Sequence, residues 1–237
     1  MHSLLRTIRA RFRKFQEQSR EPGLTALLIV EVSLIFLAIP LTGMGVIPRM
    51  VLPAMFVLLV IATLVVTSRS HVAAALVLIS VVLSPFGSFA YAEHPSVLTE
   101  WLSAGGRLLA IAALSFVIAK AVFGAGRVTL HRVQGAIVLY LNFALFFFIL
   151  YRLVDVLLPN PFTGLPQSGA ENGSGAALLY FSFSTLTTAG FGDITPVHPL
   201  ARSLANFESV IGQLYPATLL ARLVSLELEH RRRPMDN

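Results

Sequence analysis

Thr185-Leu-Thr-Thr-Ala-Gly-Phe-Gly-Asp193 is the stretch on which the reading of this chain turns. Its two glycines, Gly190 and Gly192, alternate with Ala189, Phe191 and Asp193. Glycine takes positive φ at no steric cost, so the alternation lets successive peptide planes turn their carbonyls to one side. A ring of such oxygens, drawn from several copies of a chain around an axis, can replace the water shell of a dehydrated cation. A glycine-rich turn between two helices is the plainer alternative for the same residues.

The flanks favour the first reading. Before the stretch, Ala176 to Thr187 supplies 12 mostly apolar residues, too few to cross a bilayer. A piece of that length reads as a re-entrant half helix, whose C-terminal end carries a partial negative charge able to face a cation. Non-helical backbone at membrane depth is tolerated only where protein or a water-filled path satisfies it. After the stretch, Pro196 to Ser225 is long enough for a full crossing helix. Upstream, residues 155 to 175 are rich in Pro, Gly and small polar residues and read as a loop outside the membrane. Asn172-Gly-Ser174 in that loop fits a glycosylation sequon, which is read as chance.

The whole chain has 237 residues, 55% hydrophobic and 13% charged, with mean hydropathy +0.75. A soluble domain carries about a quarter charged residues, so this composition predicts an integral membrane protein. No cysteine is present, which excludes disulfides and thiolate metal sites. The formal net charge is +6, but the basic residues sit at the chain ends and in short loops, a placement that suits membrane orientation and not nucleic acid. Residues 3 to 20 space Leu5, Ile8, Phe12 and Phe15 by three and four among Arg6, Arg9, Arg13 and Lys14, as an amphipathic helix on an anionic leaflet would. A disordered basic arm is the alternative there, and no cleavable signal is expected.

Hydropathy gives six candidate spans, near 24–40, 50–67, 72–90, 106–123, 133–154 and 198–222. With both termini cytoplasmic, 14 of the 18 Lys and Arg residues fall inside, which fits an even number of crossings. The expected fold class is an all-α membrane protein: six transmembrane helices plus a re-entrant pore helix and a selectivity filter. Its expected divisions are a basic cytoplasmic segment (1–23), a four-helix transmembrane domain (24–132), a pore domain (133–225) and a short basic tail (226–237).

Thr187-Thr-Ala-Gly-Phe-Gly-Asp193 resembles the T-T-V-G-Y-G-D filter signature of tetrameric potassium channels at five of seven positions. The resemblance covers the chain from Val133 onward, and the first half only by span count. It implies that the carbonyls of Thr188, Ala189, Gly190 and Phe191, with the Thr188 hydroxyl, line a path for K+, and that Gly192 and Asp193 form its outer mouth. In the family the Asp commonly braces the filter from behind. Thr187 and the pair Tyr180-Phe181 take the places of filter support and of the aromatic cuff. Ala189 and Phe191 depart from the usual Val and Tyr, costing volume and a phenol hydrogen bond. A filter so altered is expected to select less sharply or to inactivate more readily.

Gly212 lies 20 residues after Gly192, where many relatives bend the inner helix on opening. Close packing is the competing reason for a glycine there, and both stand open. Pro216 interrupts the helical hydrogen-bond ladder one turn later. Gln213, Pro216, Leu220 and Val224 share one helical face, with Leu220 and Val224 placed to close a cavity by dewetting.

The fourth span has Arg107 and Lys120 at its ends and no arginine ladder between them, so steep voltage gating is not expected. Glu31 is the acid of the first span and has no evident basic partner. Glu208 lies within the last span, where an ionisable group is a functional candidate by its depth, and pairing with Asn142, Arg152 or Arg202 is the plainer expectation. Only four residues follow Arg233, so no appended ligand-binding domain is expected.

These readings add up to a homotetrameric, potassium-selective channel of the cell membrane that conducts passively, with membrane lipids as further partners, anionic lipid at the N-terminus among them, and no cofactor besides the permeant ion. A weakly selective cation channel of the same architecture is the nearest alternative. An intramembrane enzyme lacks any His-Glu-x-x-His, Gly-x-Ser-x-Gly or cysteine to work with. A secondary transporter lacks matching broken helices in the two halves.

Overall fold

A computed structural model describes residues 20–48, 51, 55, 59, 79, 97–123, 129–166 and 171–232. Helix α1, Arg20–Ser33, runs through a π-helical turn at Leu34–Ala38 into α2, Ile39–Gly43. The Ile39 amide there reaches back five residues to the Leu34 carbonyl. Pro40 follows and has no N–H to give, and a π-bulge beside a proline is a common way for a helix to absorb that loss. Helix α3 is Val97–Phe123 and α4 is Leu130–Leu157. Two-residue strands β1 (Phe162–Thr163) and β2 (Thr195–Pro196) pair antiparallel, with α5, Glu171–Leu186, between them. The last helix, α6, is Pro199–Arg232.

Among the described residues, four stretches are long and apolar enough to cross a membrane: Leu24–Gly43, Trp101–Lys120, Arg132–Leu157 and Pro199–Leu226. The chain is mostly helical, as expected of an all-α membrane protein. The expected spans near 50–67 and 72–90 lie outside the described residues, except Val51, Met55, Leu59 and Ile79, which are helical. The basic segment at 1–19 and the end of the tail also lie outside them. Helix α3 starts nine residues earlier than the sequence reading put it, at 97 instead of 106. Ser103 and Ala104 are buried there, and Ala104 packs with Ile149 and Leu153 of α4, so small polar residues continue the helix instead of ending it.

Helix α4 is the central post. Leu27, Leu34 and Ala38 join Leu114, Ile118, Val122, Val138 and Tyr215 on one side of it. On another, Phe147 and Tyr151 pack with Phe162, Phe181, Ala201 and Ala205. Of the α4 crossing stretch 61% is buried, against 17% of the α6 stretch, so α6 leaves most of its surface uncovered in a single chain. Gly135 lets α4 approach α3 closely: a Cβ there would lie 3.2 Å from both Ile118 and Val122.

Gly212 makes the tightest helix contact. A Cβ at this position would stand 1.8 Å from the Leu186 carbonyl oxygen and 2.8 Å from its carbon. Those are backbone atoms, so they cannot swing aside. Of the two reasons open for Gly212, close packing is therefore present in the structure, and α6 continues as helix through Pro216 to Arg232. Tyr215, one turn on, donates to the Ala136 carbonyl at 2.8 Å and stacks on Tyr140, tying α6 to α4.

Gly212→Ala is expected to push α6 away from α5 and lower the midpoint of thermal unfolding in detergent, followed by helical circular dichroism. The cost expected of overpacking a close contact is about 1–3 kcal/mol. Gly175→Ala, whose methyl would meet only the Arg152 side chain at 3.4 Å, should leave the midpoint within about 1 kcal/mol of wild type.

Candidate functional site

Helix α5 ends at Leu186, and the backbone beyond it is built by what its amides can reach. Thr188 N–H donates to the Thr185 carbonyl at 3.0 Å. Ala189 and Gly190 N–H both donate to the Ser184 carbonyl, at 2.9 and 3.2 Å. Phe191 N–H reaches the Ser184 hydroxyl at 3.4 Å. The amide edge of 188–191 is thus tied to the last turn of α5. No carbonyl from Thr188 to Phe191 accepts a hydrogen bond among the described residues, and residues 187–193 are all exposed in the single chain.

Positive φ recurs at every second position: +56° at Thr188, +56° at Gly190 and +83° at Gly192. The sequence reading anticipated the two glycines but not Thr188. A β-branched residue pays about 1–2 kcal/mol to sit in this region and stays only where neighbours hold it. Two neighbours do: Thr185 accepts from its amide, and Gln213 Nε2 donates to its hydroxyl at 3.3 Å.

Behind the segment, the Tyr180 hydroxyl donates to Asp193 Oδ1 at 3.1 Å. The Tyr180 ring also stacks on Phe191, with centroids 5.9 Å apart and planes 12° from parallel. Phe181 points the other way, into the Tyr151–Phe162 cluster. Thr187 caps the end of α5, its hydroxyl donating to Phe183 at 2.7 Å. The exit from the segment is held by β1 and its turn. Val197 and His198 N–H donate to Pro161 at 2.9 and 3.2 Å, and the Thr163 and Thr195 hydroxyls lie 2.6 Å apart. Gly164, at φ +83°, approaches so closely that a Cβ would lie 1.8 Å from the Asp193 carbonyl oxygen.

Helix α6 supports the segment from below. Besides Gly212 and Gln213, Ser209 donates to the Thr185 carbonyl at 3.3 Å. A cleft of about 370 Å³ opens where α5, the segment and α6 meet, bordered by Tyr180, Ser184, Thr188, Gly190, Asn206 and Ser209. Gln213, Pro216, Leu220 and Val224 are exposed, whereas Gly212 and Tyr215 are buried.

Glu31 and Glu208, acids within two of the crossing stretches, are fully buried. Among the described residues neither carboxylate oxygen of Glu31 has a hydrogen-bond partner. For Glu208 the expected partners are corrected. It meets the Tyr151 hydroxyl at 2.6 Å and the Ser182 hydroxyl at 2.5 Å, not Asn142, Arg152 or Arg202. Arg202 is six residues away, about one and two-thirds turns, so it leaves α6 on another face and donates to Pro196 instead, at 3.0 Å. The Asn142 amide is buried with no partner among the described residues.

Comparison with known proteins places this geometry. The family described as "ion channel" matches residues 135–228, which hold α5, the glycine-alternating segment and nearly all of α4 and α6. Protein LctB of Bacillus caldotenax is 32% identical over 94 residues, 39% of this chain and 69% of that protein. Protein LctB of Geobacillus stearothermophilus is 34% identical over 80 residues, 33% of this chain and 59% of that protein. No solved structure matches. This chain belongs to the ion-channel family.

As an ion channel it is an integral membrane protein of ion transport, and the family points to conduction and not to enzymatic chemistry. The channel's matched region begins in α4, so α1 to α3 lie outside it. Supporting residues that escaped the sequence reading include Ser182, Ser184, Ser209 and Gly164. Ser182 and Ser184 are polar side chains in a short apolar helix, and that contrast was the available signal. Gly164 followed a threonine in a loop already full of glycine and offered none.

Tyr180→Phe keeps the ring on Phe191 but removes the bond to Asp193, worth about 1 kcal/mol. Amide hydrogen exchange over residues 187–193 of the channel should speed up by roughly fivefold, and Tyr180→Ala, which loses the stack as well, should exceed that. Equal exchange in wild type and Tyr180→Phe would contradict the role given to this hydrogen bond.

Proposed function

We propose that the protein is a potassium-selective channel that conducts passively through a homotetrameric pore. Four copies of residues 188–191 line the path, one from each subunit. The observation that carries this reading is the division of that backbone: amides bound to α5, carbonyls unpaired and exposed, φ positive at 188, 190 and 192. A single strand cannot surround an ion, and closed symmetry supplies the other oxygens. The exposed face of α6, with Phe207, Val210 and Leu214 uncovered, is consistent with a second copy lying against it.

On this reading the chain has six spans, with α5 re-entrant and the ends cytoplasmic. Thr188, Ala189, Gly190 and Phe191 bind K+, and Gly192 shapes the mouth. Asp193, Thr187, Tyr180 and Phe181 support the filter. Gly212 and Pro216, with Leu220 and Val224, form the hinge and gate of the inner helix. The absence of an arginine ladder between Arg107 and Lys120 argues against steep voltage gating. A weakly selective cation channel is favoured over this reading by one observation alone. Phe191 is 70% exposed and brings no hydroxyl to the packing behind the filter.

Purified protein in liposomes separates the two. Wild type is expected to carry K+ against an equal Na+ gradient with a reversal potential that follows K+. Gly190→Ala should abolish the flux, because φ of +56° strains any Cβ at that residue. A reversal potential following Na+ as readily would establish the weakly selective alternative. Undiminished flux in Gly190→Ala would move the path elsewhere.

A further inference from the structure

Glu208 stands where three helices meet. Its carboxyl group comes from α6, the Tyr151 hydroxyl from α4 and the Ser182 hydroxyl from α5, and all three side chains are buried. Ser182 has a second oxygen within reach, the Ala144 carbonyl at 2.8 Å. The donors can be counted. Tyr151 has one proton, directed at Glu208 Oε2. Ser182 has one proton and faces two oxygens, Ala144 O and Glu208 Oε1. An ionised carboxylate gives nothing, so one of these short contacts would set two oxygens together with no proton between them. A protonated Glu208 closes the count: Tyr151 donates to Oε2, the acid donates from Oε1 to Ser182 Oγ, and Ser182 donates to Ala144.

The charges point the same way. Among the described residues no Lys, Arg or His contacts Glu208, and two neutral hydroxyls do not repay the desolvation of a full negative charge at this depth. Among the described residues, Tyr151 and, further off, Tyr140 on α4 are the titratable groups facing it, and both are neutral at ordinary pH. From α5 it is faced by Ser182, which does not titrate. One residue beyond Glu208 on α6, Ser209 holds the Thr185 carbonyl in the turn that anchors the 188–191 amides.

We propose that Glu208 is a positioning residue held as a neutral acid, whose proton pins α6 to α5 and thereby fixes the backbone that lines the ion path. The proposal rests on the channel reading above. Ionisation at alkaline pH would replace a donor with a charge, put the carboxylate against Ser182 Oγ without a shared proton, and loosen the α5–α6 seat.

Gln keeps both hydrogen bonds of the neutral acid, with one amide N–H toward Ser182 and a carbonyl toward Tyr151, and adds a second N–H. In liposome flux Glu208→Gln should therefore conduct within about twofold of wild type, whereas Glu208→Ala should lose about tenfold or more through the orphaned hydroxyls. Wild-type flux should fall as pH is raised into the alkaline range, and Glu208→Gln should lack that fall. A second measurement needs no conduction. Infrared difference spectra of purified wild type against Glu208→Gln at neutral pH should contain the C=O stretch of a protonated carboxylic acid. A carboxylate band in its place, or a Glu208→Gln channel as impaired as Glu208→Ala, would overturn the proposal. Failure of wild type itself to conduct would strike the channel reading, while the infrared result would still decide the state of Glu208.

Discussion

Backbone groups must be paired, and the segment after α5 satisfies only half of its own. Ser184 takes the load: its carbonyl accepts two amides and its hydroxyl a third, so one residue of a short helix holds three successive N–H groups. Once those amides are committed, the carbonyls of the same peptides have nowhere to point but outward. Positive φ at 188, 190 and 192 makes such a backbone possible. Everything else in the second half of the chain keeps this strand from relaxing into a turn that would pair its own oxygens.

The supports come from three directions and are of different kinds. Tyr180 braces by a hydrogen bond and a ring face. The loop through Pro161 and Gly164 holds the far end by main-chain bonds and by a contact that only a glycine permits. Helix α6 holds the near end at Ser209, Gly212 and Gln213, one helical turn of side chains against the last turn of α5. Because α6 carries Pro216 four residues after Gly212, the carbonyl of Gly212 lacks its helical donor just where the helix is seated. Packing at Gly212 and bending near it are therefore compatible: the residue is the fixed point, and the segment beyond it is free of one hydrogen bond.

Much of this was legible from residue order. Apolar runs of sufficient length gave the four crossing stretches that the structure describes, and the Gly-x-Gly alternation gave two of the three positive φ values. Thr188 was not legible because its conformation is imposed by tertiary contacts, with Thr185 and Gln213, and contradicts its own preference. The partners of Glu208 were misread for a related reason. The sequence reading looked to an amide or a guanidinium, Asn142, Arg152 or Arg202, whereas the fold supplies neutral hydroxyls from two other helices. The early start of α3 was missed because Ser103, Gly105 and Gly106 look like a break. Local composition could not reveal that Ala104 between them packs on Ile149 and Leu153 of α4.

The account stands or falls on whether the unpaired carbonyls of several copies face one another around ions. The most direct measurement is an experimental structure of the assembled protein in a membrane-like environment, with thallium in place of potassium, read by anomalous scattering. The expected result is a row of thallium peaks on a fourfold axis between the carbonyl oxygens of residues 188–191. Peaks elsewhere, or a chain that stays monomeric with this segment on its surface, would contradict it.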